Sequence, residues 1–225
     1  MVELYAVNIQ NQISKEAFDN FMMLVSEKKR EKINRFRLIE DAKRSLYGEI
    51  LVRYLACNQF GINNDDIKMQ FNEYGKPYIE DYLDFHFNLS HSGQWIVCAI
   101  SKESIGIDIE QIKPIDLAIA ERFFDPLEYK AIMDISNDMR LVAFYKFWTL
   151  KESYIKLISK GLSMPLNSFA IEKIVDSYMI NDKTDIKFYN HLYKDGYIIS
   201  VSYKEFSINP EIKEIYVSSM KVNLR

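Results

Sequence analysis

Hydrophobic residues recur along this chain with two different periods, which separate predicted strands from predicted helices. Alternation at period two predicts a strand at Leu4–Ile9. Two long segments, Asp41–Gln59 and Met139–Lys160, carry apolar residues at helical spacing, so we expect two long amphipathic helices there. Gly61 and Gly161 follow these segments and are predicted to end the helices, because glycine readily adopts the left-handed conformation of a helix C-terminus.

Two shorter helices are predicted between the first strand and the first long helix. Ser14 and Ser26 each precede a helical segment and are typical N-cap residues. The second of these helices is basic, and its Lys29 and Lys32 share one side because they are three residues apart. A run of charges is usually a solvated surface, but such a pair could also grip a phosphate.

The order of elements repeats along the chain. Each half has a long helix, a glycine and a closing apolar strand, which lies at Trp95–Ile100 in the first half and at Tyr197–Val201 in the second. This echo predicts two similar units, residues 1–103 and 104–225. If the two units pack against each other, the cleft between them is the natural ligand site.

The segment Gly106–Glu110, near the start of the second unit, carries the strongest chemical signal. Its alternation predicts a strand with Ile107 and Ile109 on one face and Asp108 and Glu110 on the other. Two carboxylates about 7 Å apart on one strand face repel each other unless a cation lies between them. Mg²⁺ accepts one or two carboxylates together with phosphate oxygens. The alternative interpretation is a strand that leaves the core with two solvated acids.

The second long helix carries further candidates. Glu152 and Lys156 are four residues apart at the edge of its apolar arc, which indicates either an ordinary helix ion pair or a functional pair. Lys151 falls inside the apolar arc, so its amine must reach solvent or meet an anion. Glu128, in the first turn of a predicted helix after Pro126, is favoured there by the helix dipole alone.

Two more candidates lie outside the predicted helices. His91, in the polar stretch Phe87–Gly93, is predicted to lie at the mouth of the strand that follows, as a catalytic base, an anion contact or a structural histidine. A hydrolase triad is not indicated, because no serine and acid grouping accompanies the histidine. Lys76 is held on the turn Tyr74–Pro77, in which glycine and proline fix the direction of the chain.

Composition and charge exclude several classes of protein. The chain has 225 residues, of which 48% are hydrophobic, as in globular proteins with a substantial core. Its formal charge is −3, which argues against a nucleic-acid partner. No segment approaches the length of a membrane span, and no signal peptide is visible. Cys57 and Cys98 lie in apolar surroundings, so we expect buried thiols and a cytoplasmic location.

Four short motifs follow one another along the chain. They are Gly75–Pro77, Phe87–Ser92, Gly106–Glu110 and Trp148–Lys156. Together they resemble the motifs of the Sfp-type 4′-phosphopantetheinyl transferases, and the basic stretch Lys28–Arg37 adds to the likeness. Any one motif is moderately specific, whereas four in sequence with matching gaps are very specific. The resemblance covers most of the chain.

The resemblance implies a fold and a reaction. The fold would be α+β, with two similar α/β halves that form a monomeric pseudo-dimer of antiparallel sheets packed against the long helices. The reaction would be a Mg²⁺-dependent transfer of the phosphopantetheine arm of coenzyme A to a serine of an acyl or peptidyl carrier protein, with release of 3′,5′-ADP. Neither nucleic acid nor a membrane is expected as a partner.

The resemblance also implies roles for individual residues. The metal ligands would be Asp108, Glu110 and Glu152, and Lys156 would meet the pyrophosphate. The first choice for the base that takes the serine proton is Glu152, followed by Glu110 through a water and then by Glu128. The expected coenzyme A contacts are Lys29, Lys32, Ser45 and His91 near the 3′-phosphate, with Lys76, Ser90 and Lys156 elsewhere in the site.

Two rival functions stay open at this point. A Mg²⁺ phosphohydrolase of nucleotide diphosphates would use the same acids and lysines, and it would hydrolyse coenzyme A without a carrier protein. A module that only binds coenzyme A or a carrier is disfavoured, because a binder has no need of three clustered acids. Within the family, the choice between secondary metabolism and fatty-acid synthesis is open, although the form with two halves favours broad carrier acceptance that includes peptidyl carriers.

Overall fold

A computed structural model arranges the chain as layers of helix and sheet. It describes residues 1–82, 84–174, 177–180, 185–194, 196–204 and 207–222. The α-helices are Lys15–Leu24 (α1), Glu27–Asn34 (α2), Ile39–Phe60 (α3), Ala118–Phe123 (α4), Pro126–Met133 (α5) and Asn137–Ile158 (α6). The strands are Val2–Asn8 (β1), Met69–Phe71 (β2), Pro77–Ile79 (β3), His86–Ser92 (β4), Trp95–Ser101 (β5), Ile105–Gln111 (β6), Ile171–Ile174 (β7), Ser177–Ile180 (β8), Lys187–Tyr193 (β9), Tyr197–Tyr203 (β10) and Ile208–Glu214 (β11).

The predicted helices are present, and most of their ends are where the sequence places them. The side chains of Ser14 and Ser26 cap α1 and α2 by accepting a hydrogen bond from the amide three residues ahead. α3 ends at Gly61, whose φ is 65°. The expectation that Gly161 ends α6 is wrong, because Ser159 already takes the left-handed C-cap conformation with a φ of 59°. None of the helices in the described ranges is long and apolar enough to cross a membrane.

Two sheets form the middle layers. The first has the strand order β11-β1-β5-β4 and the second has the order β6-β10-β9. α3 covers one face of the first sheet through a core that includes Leu46, Ile50 and Ile96. The facing sides of the two sheets share another core, which includes Val97 and Ile107. α6 packs on the outer face of the second sheet, so the fold is α+β, as predicted.

The last strand joins the first sheet, although it comes from the second half of the chain. β11 runs parallel to β1, with Leu4 opposite Ile212. The expectation of antiparallel pairing holds for the other pairs of these two sheets. Val217 and Met220 then continue into the core beneath α3. The division into residues 1–103 and 104–225 stays a prediction, and this crossing segment is an exception to two simple halves.

His91 lies within a strand and not at the mouth of one, so that sequence prediction is wrong. Its polar stretch forms β4, which pairs with β5 and places His91 opposite Ile96. The alternating Asn88, Ser90 and Ser92 look like loop residues in the sequence because they are small and polar. Their side chains bond to the neighbouring strand β6 and are not left to solvent.

α6 crosses β6 at a distance that only glycine permits. A Cβ atom on Gly106 would lie 1.9 Å from the carbonyl oxygen of Ser153 and 2.5 Å from the amide nitrogen of Leu157. Close-packed interiors do not accommodate such an overlap, so any side chain here would force the helix and the strand apart. The acid and the lysine on this face of α6, Glu152 and Lys156, lie beside this contact. The contact therefore also fixes their position relative to Asp108.

Gly106→Ala is expected to lower the free energy of unfolding by at least about 3 kcal/mol, the upper part of the usual range for overpacked cores, because backbone atoms cannot step aside. For a chain of this length, that is a fall in Tm of roughly 6 °C or more. Thermal melting followed by circular dichroism measures it. The matched control is Gly48→Ala, whose Cβ would meet only side-chain carbons, the nearest at 3.7 Å. Equal stability of the two variants would contradict the close contact.

Candidate active site

The carboxylate of Asp108 is buried between β4 and α6. Its Oδ1 accepts hydrogen bonds from Ser90 Oγ at 2.7 Å and from Lys156 Nζ at 2.7 Å. Lys156 Nζ also donates to Ser90 Oγ at 3.0 Å and to the carbonyl oxygen of Ile107 at 3.2 Å. Asp108 is only 4% exposed, so the interpretation as a solvated acid at the end of a strand is wrong for this residue.

Side-chain hydrogen bonds join β4 to β6 where the edges of the two sheets meet. Asn88 Oδ1 accepts a hydrogen bond from a β6 amide at 2.8 Å. Ser90 Oγ donates to Asp108, and Ser92 Oγ donates to Glu110 Oε2 at 2.7 Å. Each serine therefore fixes the orientation of one carboxylate. The polar residues of β4 and the acids of β6 share the period of two, which brings each pair into register.

Glu152 of α6 lies on the same cavity as the two acids of β6. This cavity of about 850 Å³, the acid cavity, is lined by Asp108, Glu110, Glu152 and Lys156. Burial, followed by the negative charges of Asp108 and Glu110, raises the pKa of Glu152 to about 6, although Lys156 lowers it. Burial and the charge of Asp108 also raise the pKa of Glu110. The fold therefore brings together the three acids that the sequence separates.

The acid cavity fits Mg²⁺ as an ion shared with a substrate. Asp108 Oδ2 is buried and has no hydrogen-bond partner among the described residues, and such an atom is costly unless a partner satisfies it. Over the same described ranges, no three His, Cys, Asp or Glu side chains are close enough to form a complete metal site. Mg²⁺ does not require one, because it keeps several waters and takes one or two carboxylates plus substrate phosphates.

A second cavity of about 340 Å³ combines cations with an apolar wall. Lys29, Lys32 and Arg44 form its charged side, with Ser45 beside them, and we call it the basic cavity. The apolar wall consists of Phe36, Met69, Phe71, Pro77, Phe87 and Leu89. Such a lining suits a ligand that has a compact anion next to a planar ring, because lysine and arginine pair with phosphates while the ring is buried against carbon.

Two acids reduce the positive charge of the basic cavity. Lys29 Nζ lies 3.4 Å from Glu49 Oε2, and Arg44 pairs with Asp41. Glu49 is also held by Arg53, whose Nε and Nη2 donate to its Oε1 at 3.1 and 3.0 Å. Burial lowers the pKa of Lys29, while the charge of Glu49 opposes that change. The positions of Lys29 and Arg44 in the cavity are thus already fixed by internal ion pairs.

His91 and Leu89 line both cavities, so the two cavities adjoin at these residues, and we call the pair of cavities the groove. The sequence interpretation of His91 as an anion contact stays a prediction, and its position at the junction is compatible with it. The surrounding protein and the nearby Arg44 guanidinium lower the pKa of His91 from its usual value. An anion in the groove would act against that effect.

Lys76, predicted to contact coenzyme A, is not among the residues that line either cavity. Its Nζ donates to the carbonyl oxygens of Ile105 at 2.9 Å and of Lys156 at 2.7 Å. Burial and the charge of Lys156 lower the pKa of Lys76 to about 8. The side chain thus ties its turn to β6 and α6. The turn still reaches the basic cavity through Pro77, and a contact of Lys76 itself with a ligand stays a prediction.

Glu128, the third candidate for the base, is engaged in a buried ion pair. Lys151 Nζ lies 2.8 Å from Glu128 Oε2, and both side chains are almost completely buried. The expectation that Lys151 must reach solvent or meet an anion is therefore confirmed, with Glu128 as the anion. Glu128 is not among the described residues that line the acid cavity, so the geometry does not favour it as a base.

Sequence reasoning did not assign a role to several residues in or beside the groove. Ser92 and Trp148 lie in the motifs Phe87–Ser92 and Trp148–Lys156 but received no role of their own. A usable signal exists for Ser92, which donates to Glu110, because its spacing from Ser90 matches the spacing of the two acids on β6. Nothing local marks the others, which line a cavity only through the tertiary fold. They are Arg44, Glu49, Arg122, Phe123 and the segment 164–167.

Glu152→Gln is expected to stabilise the metal-free protein near neutral pH by up to about 2 kcal/mol. The folded-state pKa of about 6 lies above the ordinary value of 4.5, so ionisation of Glu152 disfavours the folded state. That cost is present above the folded-state pKa and disappears below the ordinary value, so the stabilising effect should vanish in acid. Melting in a chelator across this pH range measures it. Glu121→Gln, on an exposed acid of α4, is the control, and equal melting of both variants near neutral pH would contradict the crowding of acids.

Two family models match adjacent stretches of the chain. The model described as "4'-phosphopantetheinyl transferase, N-terminal" matches residues 11–103. The model described as "4'-phosphopantetheinyl transferase superfamily" matches residues 104–202, which include the three acids and Lys156.

Individual relatives extend the similarity over most of the chain. The 4'-phosphopantetheinyl transferase Sfp of Bacillus subtilis (strain 168) is 45% identical over 170 residues, which cover 76% of this chain and 76% of that protein. The 4'-phosphopantetheinyl transferase gsp of Aneurinibacillus migulanus is 40% identical over 200 residues, which cover 88% of this chain and 84% of that protein. The resemblance found in the sequence motifs is confirmed, and the chain belongs to the 4′-phosphopantetheinyl transferase family.

Proposed function

We propose that this chain carries out the family's transfer with Mg²⁺ as its metal ion, moving the phosphopantetheine arm of coenzyme A to a serine of an apo acyl or peptidyl carrier protein. The observation that carries the proposal is the pair of adjoining cavities, of which one is basic and partly apolar and the other holds three acids and a lysine. Coenzyme A has the same order of parts, a 3′-phosphorylated adenosine followed by a pyrophosphate.

The basic cavity would hold the adenosine end of the donor. Lys29, Lys32 and Arg44 would face the 3′-phosphate, a compact dianion for which both lysine and arginine are good partners. Ser45 lies among them and can donate a hydrogen bond. His91, which lines both cavities, would lie between the 3′-phosphate and the pyrophosphate.

The acid cavity would hold the pyrophosphate. Asp108, Glu110 and Glu152 would bind Mg²⁺, and the bound ion would neutralise charge on the phosphate oxygens and orient them. Lys156, held at Asp108 Oδ1, would meet the same oxygens. Charge grows there as the leaving group departs, so the lysine would stabilise the transition state more than the ground state.

The chemical step is an in-line displacement at phosphorus. The acceptor serine oxygen bonds to the phosphorus that carries the pantetheine arm, the bond from that phosphorus to the bridging oxygen breaks, and 3′,5′-ADP leaves. Glu152 is our first choice for the group that takes the serine proton, because its carboxylate lines the acid cavity in which the acceptor serine would react. Glu110 is less free for this role, since Ser92 donates to its carboxylate.

We also propose a monomer that acts in the cytoplasm on carriers of secondary metabolism, such as those of nonribosomal peptide synthesis. Residues of the first unit line the basic cavity, and residues of both units line the acid cavity. The proposed site therefore needs no second copy of the chain. Cys57 and Cys98 are free, which suits a reducing compartment.

The deciding experiment is an incubation of the protein with coenzyme A, Mg²⁺ and an apo carrier protein. Mass spectrometry of the carrier should show the gain of one phosphopantetheine group, and omission of Mg²⁺ with a chelator present should abolish it. Release of 3′,5′-ADP without a carrier would favour the phosphohydrolase alternative.

Asp108→Asn is expected to reduce transfer at least about 100-fold while the protein remains folded, because it removes a charge from the metal site and keeps the shape of the side chain. Carrier modification and thermal melting are measured on the same preparation. Asp116→Asn, at an exposed acid that follows β6, is the control. Near-normal turnover of Asp108→Asn at saturating Mg²⁺ would rule out the assigned role.

3′-Dephospho-coenzyme A is expected to remain a donor, with a KM raised at least about tenfold, because contacts far from the reacting bond act equally on ground and transition states. Lys32→Ala should raise the KM for coenzyme A and leave that for the dephospho donor nearly unchanged. Lys32 is preferred to His91 for this test because His91 can act on either phosphate group.

Steady-state kinetics are measured for wild type and Lys32→Ala, each with both donors, and the four KM values form a double cycle. Lys28→Ala, on the same helix but outside the lining of the basic cavity, is the control. If Lys32→Ala costs both donors equally, Lys32 does not contact the 3′-phosphate.

A further inference from the structure

The ion pair of Glu128 and Lys151 is the centre of a buried hydrogen-bond network. Lys151 Nζ donates to the carbonyl oxygens of Leu166 at 2.8 Å and of Phe169 at 2.6 Å. The same nitrogen lies 2.8 Å from Glu128 Oε2 and 4.1 Å from the centre of the Phe169 ring. A lysine on α6 thereby holds the segment that follows the helix.

Glu128 binds two further parts of the chain. Its Oε1 accepts a hydrogen bond from the amide of Ile171 at 2.7 Å, at the start of β7. Its Oε2 accepts one from the amide of Asp125 at 2.9 Å, which closes the N-terminus of α5. The pair therefore connects α5, α6 and the segment 164–171 through side chains that water does not reach.

The connected segments form one wall of the acid cavity. Residues 164–167 line part of this cavity. Arg122 and Phe123, which precede Asp125 in the sequence, line it as well. None of these residues is among those that line the basic cavity. The wall thus belongs to the acid cavity alone. If the adenosine end occupies the basic cavity, the donor's pantetheine arm and the acceptor serine would lie in the acid cavity, beside this wall.

Stability alone does not account for a buried pair at this place. Removing two charges from water costs about as much as their attraction returns, so well-packed apolar residues would serve the core equally well. A charged pair with several bonds to backbone groups instead defines one position for the segments that it joins.

We propose that Glu128 and Lys151 are positioning residues that hold the wall formed by Arg122, Phe123 and residues 164–167 against the acids, so that the acceptor serine is presented to the pyrophosphate. The inference rests on the proposed function for its substrates, but the position of the wall can be measured without any substrate. Neither residue touches the reacting atoms in this assignment.

The experiment compares Glu128→Leu/Lys151→Met with wild type, with Glu128→Gln and with Lys146→Met, a control at another lysine of α6. The double variant replaces the pair by apolar side chains, which buried sites often tolerate. Hydrogen exchange of the amides in 166–171 reports on the wall. Carrier kinetics at saturating coenzyme A, and calorimetric binding of 3′,5′-ADP with Mg²⁺, separate the two ends of the groove.

We expect amide exchange in 166–171 to accelerate at least about tenfold in the folded double variant. The kcat/KM for the carrier should fall at least about tenfold, since small misplacements of a reacting group are costly. Binding of 3′,5′-ADP should stay at the wild-type level because that molecule lacks the pantetheine arm. Glu128→Gln keeps one acceptor oxygen and should give intermediate exchange and kinetics, and Lys146→Met should behave as wild type.

Three outcomes would overturn the proposal. Unchanged exchange and carrier kinetics in the double variant would show that the pair does not hold the wall. Loss of turnover in Glu128→Gln with unchanged exchange would show a chemical role for Glu128. Weaker binding of 3′,5′-ADP would show a general distortion. If the double variant does not fold, Glu128→Gln decides by the same measurements. A wild-type protein that fails to modify any carrier would instead reject the proposed function, and the exchange data would still test the pair.

Discussion

The approach of α6 to β6 at Gly106 is the constraint on which the active site depends. α6 also lies close to β10, the strand beside β6, where the hydroxyl pairs Thr149 with Ser200 and Ser153 with Ser202 lie 2.7 Å apart. At this separation Lys156 Nζ lies 2.7 Å from Asp108 Oδ1 on β6. A larger separation would leave the acids of β6 and the acid of α6 on opposite sides of a gap.

Local pattern is sufficient for those parts of the site whose geometry is set within one element. The alternation of Gly106–Glu110 places Asp108 and Glu110 on one face whatever the strand packs against. Glu152 and Lys156 share a helix face for the same reason. The melting comparison of Gly106→Ala with Gly48→Ala addresses a feature that pattern does not reveal, because a glycine in a strand looks the same whether a helix backbone or solvent lies above it.

The failures of sequence reasoning have a common physical cause. The sequence of a small polar residue does not show whether its hydrogen-bond partner is water or another strand. The serines of β4 therefore look like loop residues, and His91 appears to lie in a loop before β5 although it belongs to β4. Lys76 looks like a free surface lysine, but its amine binds two carbonyl oxygens from the other half of the chain. In the case of Lys151 the need for an anion follows from its place on the helix, whereas the identity of that anion depends on the tertiary fold.

The pairing of β1 with β11 joins two segments that are far apart in the sequence. β1 leaves the ribosome about two hundred residues before its parallel neighbour, residues 208–214. Val217 and Met220, which belong to the core beneath α3, arrive later still. The sheet edge and the core of the first unit therefore stay incomplete until residues 208–220 have been made. Such non-local closure slows folding, and it makes the nascent first unit a stage at which chaperones can intervene.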